Sequence, residues 1–87
     1  MLTKYLTTSA VFNPESGGLR LKAIKFVNVN GALQLVSAYI GTNNTGSKIF
    51  RDGINSQRSS TCECFDIDIA SLYVELGPDC SALVIYE

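Results

Sequence analysis

The stretch Leu19 to Gly41, LRLKAIKFVNVNGALQLVSAYIG, constrains the fold more than any other part of the chain. Its two arms, residues 19–29 and 32–40, contain neither proline nor glycine and are rich in β-branched, aromatic and aliphatic residues, the composition of strands. Between them sits Asn30-Gly31. A type I′ turn needs φ > 0 at both central residues, which Asn and Gly tolerate best, so the stretch predicts one long β-hairpin over 19–41. With a two-residue loop, Leu21 faces Ile40, Ala23 faces Ala38, Lys25 faces Val36 and Val27 faces Gln34. The opposite side pairs Phe26 with Leu35, Ile24 with Ser37, Lys22 with Tyr39 and Asn28 with Leu33. A solvated sheet face reads polar at alternate positions, and this hairpin is apolar on both sides near its tip. The second side therefore needs a cover, from the same chain or from another copy, and Ile24, Phe26, Leu33, Leu35 and Tyr39 become the candidate interface.

The remainder also reads as strands. From Thr61 to Ile69 the period is strictly two, with Glu63, Phe65, Ile67 and Ile69 on one side and Cys62, Cys64, Asp66 and Asp68 on the other. Residues 71–86 suggest a closing hairpin around Gly77-Pro78-Asp79-Cys80, with Leu72 opposite Ile85 and Val74 opposite Leu83 as its apolar face. Asp52-Gly53 is a second two-residue turn candidate, after the polar loop Gly41 to Gly46. Asn13-Pro14-Glu15-Ser16-Gly17-Gly18 is the clearest break, so residues 1–13 read as an N-terminal strand or an exchange arm on a joint. No stretch shows helical periodicity. The expected architecture is a single all-β domain over 1–87, a small antiparallel β-sandwich or jelly-roll-like barrel of about seven or eight strands.

Composition bears on function mainly by exclusion. There is no histidine, which removes the usual general base and the commonest transition-metal ligand. The three cysteines lack the four-ligand spacing of zinc sites and read as buried thiols behaving as small hydrophobes, kept in a reducing compartment. No Gly-rich phosphate loop and no run of calcium ligands is present. The expectation is a protein with no catalytic residue, no cofactor and no metal. The formal net charge of −1 offers no bulk attraction to nucleic acid or to an anionic membrane. Charge is nevertheless segregated: residues 1–58 carry all seven Lys and Arg, while residues 59–87 carry Glu63, Asp66, Asp68, Glu75, Asp79 and Glu87 with no base. Strands of the two halves pairing within the monomer would set these charges opposite one another, with Asp66 and Asp68 facing Arg20, Lys22 or Lys25. Head-to-tail contact between subunits would use the same segregation. The first residues, MLTKYLTTSAVF, contain no apolar run long enough for a signal peptide core or a membrane span, which points to the cytosol.

Over residues 22–87 the order of features is AIKFVNVNGA, a second strand, KIFRDG, a Ser/Thr-rich link and a terminal SALVIYE. This pattern resembles the small β-sandwich proteins of tailed-bacteriophage virions, found in head decorations and in tail or baseplate attachments. The resemblance implies a non-enzymatic structural role as a homo-oligomer, a trimer or larger ring, in contact with other virion proteins. It further implies a chain present in the host cytoplasm during assembly and then in the virion. The competing expectation is a lectin-like module that binds sugars or other ligands through Tyr39, Tyr73 or the loop residues Asn43 and Asn44.

Overall fold

The computed structural model describes residues 2–12, 18–55, 58–59 and 63–87, and within them the chain forms strands and no helix. The nine strands are β1 (Leu2–Leu6), β2 (Ala10–Phe12), β3 (Leu19–Asn28), β4 (Gln34–Ile40), β5 (Ser47–Ile54), β6 (Arg58–Ser59), β7 (Glu63–Ile69), β8 (Leu72–Leu76) and β9 (Cys80–Tyr86). No helix long and apolar enough to cross a membrane occurs among the described residues.

Every pairing is antiparallel. The first sheet runs β1-β9-β3, with β6 and β7 both along the far side of β3, and the second runs β2-β8-β4-β5. The pairs β1–β9, β2–β8, β3–β7 and β4–β5 share one property. The numbers of facing residues add to 88 in Leu2–Tyr86, Leu21–Ile67 and Val36–Asp52, and to 84 in Ala10–Val74. The chain is thus a single two-stranded ribbon doubled back near its midpoint and wound into two stacked sheets, which is a jelly roll.

The fold of the ribbon lies at Gly41–Gly46, and both glycines are needed there. Gly41 has φ +130°, and a Cβ on Gly46 would run into the carbonyl oxygen of Ile40. Asn43 Oδ1 accepts from the Thr45 amide at 2.9 Å, closing the turn between them.

Three expected hairpins are corrected. The hairpin over 19–41 does not form: β3 belongs to the first sheet and β4 to the second, so none of the pairs expected between them exists. Among the described residues only Gly41 and Asp79 have positive φ, so Asn30-Gly31 is not a type I′ turn. Two successive Asx turns take its place. Asn28 Oδ1 accepts from the Asn30 amide at 2.8 Å, and Asn30 Oδ1 accepts from the Ala32 amide at 2.9 Å, bending the chain out of one sheet and into the other. The closing hairpin over 71–86 fails in the same way, because β8 lies in the second sheet and β9 in the first. Asp79, at φ 58°, turns the chain across the gap, and the Cys80 amide donates to the Gly77 carbonyl at 3.2 Å. Asp52-Gly53 is not a turn either but lies within β5. The proline- and glycine-rich break falls on residues outside those described, apart from Gly18.

The two-sided apolarity of β3 has a local cause. Its burial alternates on Leu19 and Leu21, then on Ile24, Phe26 and Asn28. Between Leu21 and Ala23 the register against β9 slips by one residue, a β-bulge at Lys22 that moves the inward set from odd to even positions. Both halves of the strand face the same core. There Phe26 stacks on Phe50 of the opposite sheet with ring centroids 5.2 Å apart, among Leu21, Ile24, Val36, Leu72, Val74 and Val84, all fully buried.

Candidate interaction surfaces

The register assigns each side chain to the core or to an outer face. In the first sheet Ala82 and Val84 of β9 point inward, so Ser81, Leu83 and Ile85 point out, with Thr3 and Tyr5 of β1 on one flank and Ala23, Lys25 and Val27 of β3 on the other. Tyr5 is 62% exposed, while Leu83, Ile85 and Val27 are half-buried by their neighbours alone. Among the described residues no strand lies over this face, and an apolar band of Tyr5, Leu83, Ile85 and Val27 runs across it, with Ala23, 8% exposed, sunk between its neighbours. The expected placement of β9 is thereby reversed: Leu83 and Ile85 form no face with Leu72 and Val74, and it is Ala82 and Val84 that join the core.

Along the β3–β7 side of the same face the apolar band gives way to charge. Arg20 Nε donates to Asp66 Oδ1 at 2.7 Å and its Nη1 to Asp68 Oδ2 at 3.1 Å, and Lys22 Nζ donates to Asp66 Oδ1 at 2.9 Å. Hydrogen bonds from Arg20 first, then Lys22, hold the Asp66 carboxyl at about 2, below the ordinary 3.8. The pairing of basic and acidic halves inside the monomer is therefore real, through Arg20 and Lys22. Lys25 makes no ion pair among the described residues. Cys64 lies exposed beside this strip, opposite Ala23, in place of the buried position expected for it, and Cys62 falls outside the described residues. Cys80 is buried as expected, and desolvation raises its thiol pKa.

The outer face of the second sheet is built differently. Tyr73 on β8, Tyr39 on β4 and Lys48 on β5 lie side by side in one row, with the tyrosine rings 6.0 Å apart and Lys48 Nζ 5.6 Å from the Tyr39 ring centre. Glu75, Ser37 and Arg51 form the next row. At the far corner Leu33 and Leu35 lie over Gly53. One open depression of about 540 Å³ lies elsewhere, lined by Arg20, Asp68, Ile69 and Glu87 among others, and its one cation is already held by Asp66 and Asp68.

The five residues expected to form one interface are thus separated. Ile24 and Phe26 are fully buried in the chain's own core and meet no partner, because the bulge turns them inward. Leu33 and Leu35 are exposed at 54% and 49% at the corner of the second sheet, and Tyr39 lies on that sheet's outer face, nearly covered. The band on the first sheet was missed, although the run Cys80 to Tyr86 carries its signal: it is apolar at both parities, and a strand in a two-layer sandwich has only one inner face. No family model, curated protein or solved structure matches the chain.

Proposed function

We propose that this chain is a non-enzymatic structural subunit that works as a homo-oligomer, a component of a tailed-phage virion assembled in the host cytoplasm in contact with other virion proteins. The observation that supports assembly is the outward-facing band of Tyr5, Leu83, Ile85 and Val27 on the first sheet, over which no element of the described chain lies. An apolar face flanked by ion-paired charge is the composition of a contact surface, with an apolar centre and a polar rim. The phage setting rests on the resemblance of residues 22–87, which implies the small β-sandwich that the chain forms. Light scattering after gel filtration tests the assembly: a mass above the monomer in the micromolar range is expected, and a strict monomer across that range removes the proposal. Recovery of the chain from purified particles, by mass spectrometry, tests the setting.

A second reading, a saccharide-binding module, is favoured by one observation. Tyr39 and Tyr73, each a candidate sugar contact, share a face at 6.0 Å, at the end of the sheet from which the Asn43–Asn44 loop projects. Tyr73 offers the more accessible ring. Reproducible binding on a glycan array that disappears in Tyr73→Ala would establish this reading.

A further inference from the structure

We propose that two copies of this chain pack the outer faces of their first sheets together about a two-fold axis that runs along β9 between Leu83 and its own copy. This rests on the assembly reading above and commits it to a two-fold pair, in place of the trimer or larger ring that the resemblance implies. The sheet register fixes which residues such an axis brings together. Tyr5 and Lys25 both lie opposite Leu83, one from the β1 side and one from the β3 side. Thr3 and Ala23 flank Ile85 in the same manner. A two-fold axis along β9, lying in the plane between the faces, exchanges those two sides. Leu83 and Ile85 then meet their own counterparts, each Tyr5 ring sits over the partner's Lys25, and each Thr3 over the partner's Ala23.

Every one of those contacts is chemically matched. The centre is aliphatic against aliphatic. Lys25, which has no ion pair among the described residues, gains an aromatic face, the geometry of a cation–π contact. Thr3 over Ala23 is a small pair that lets the sheets approach. Asp66 and Asp68 on β7 fall beyond the partner's β1 edge and stay in water, while Arg20 and Lys22, already paired with them within their own chain, lie at the end of β3 where the partner's β1 begins. An apolar centre with a charged rim is the arrangement of stable interfaces, and an isologous contact needs a patch complementary to itself.

Charge pairing across the axis tests the geometry. Leu83→Lys and Leu83→Glu each place like charges opposite one another, and each alone is expected to weaken association by roughly 30-fold or more. An equimolar mixture of the two is expected to return to the wild-type mass in sedimentation velocity, because every Lys then faces a Glu. Leu35→Lys, on the other sheet, leaves the mass unchanged. Unaltered circular dichroism melts show that the variants fold, and Tyr5→Ala, at an exposed position, provides a milder weakening if either charged variant does not. If the wild type associates and the Leu83 variants keep its mass, the face is wrong while the assembly reading stands. If both variants dissociate and their mixture stays dissociated, the two-fold at Leu83 is wrong. A monomeric wild type overturns the assembly reading itself.

Discussion

Asn28 is a fully buried amide whose removal has a cost that can be worked from its contacts. Its Nδ2 lies 2.9 Å from the Ile54 carbonyl, 3.0 Å from that of Ala32 and 3.4 Å from that of Asn55, and its Oδ1 accepts from the Asn30 amide at 2.8 Å. An amide nitrogen carries two protons, so the two shorter donor bonds and the accepted one are the three that count. In Asn28→Ala, each loses about 1 kcal/mol net, with more wherever the stranded partner stays dry, which gives about 3 kcal/mol in all. For a domain of this size each kcal/mol lowers the melting temperature by about 4–8 °C, so the fall is about 12–24 °C. Urea unfolding followed by circular dichroism measures it, with the slope unchanged if the native and unfolded states keep their surface areas. Asn28→Asp sharpens the test. A carboxylate there would face carbonyls with no proton to donate, so its folded pKa is raised above the unfolded value near ~3.9 and its ionisation destabilises the fold. Stability should lie nearest to wild type below that value and fall as pH rises. Asn28→Ala within about 0.5 kcal/mol of wild type, the range of an ordinary surface substitution, would refute the claim that this side chain holds the crossing between sheets.

Phe26→Ala, which opens the core opposite Phe50, should cost about 3–5 kcal/mol in chemical denaturation while leaving the outer faces intact. Gly46→Ala should destabilise the turn where the ribbon doubles back, because the new methyl meets the Ile40 carbonyl oxygen; a melt unchanged by the substitution would contradict that geometry. The Arg20–Asp66–Lys22 cluster sets a pH dependence. The folded Asp66 pKa is depressed from 3.8 to about 2, so its contribution is complete above 3.8 and is lost as pH falls through about 2. Melting temperature measured between those limits should fall less steeply in Asp66→Asn than in wild type, and the difference should shrink in high salt, as expected for exposed charges.

The strand content was legible because it depends on local pattern. The alternation of Phe65, Ile67 and Ile69 with Cys64, Asp66 and Asp68 places β7 correctly, and the opposite charges of Arg20 and Asp68 reveal which strands meet. The turns were less legible. Asn30-Gly31 suits a hairpin, but the same Asn30 amide that favours a tight turn also makes an Asx turn, and a sequence window does not contain the buried Ile54 carbonyl that selects between them through Asn28. In a jelly roll, neighbours in sequence cross between sheets and strands far apart in sequence pair, so local hairpin logic misassigns partners where it is most tempting.

The interaction surface moved for a related reason. Apolar residues at both parities of a strand have two physical origins, and sequence alone does not separate them. In β3 the cause is a bulge: register against β9 slips between Leu21 and Ala23, and the odd and even apolar sets face one core in succession. In β9 the pairing with β1 runs without a slip from Tyr86 to Ala82, so its two parities lie on opposite sides of the sheet over that whole length. Ala82 and Val84 take the core, and Leu83 and Ile85 must then face outward, however apolar they are. Continuity of register thus turns an ambiguous pattern into an assignment. It buries Ile24 and Phe26 in the core and turns Leu83 outward, on the central strand of the face that the proposed two-fold contact uses.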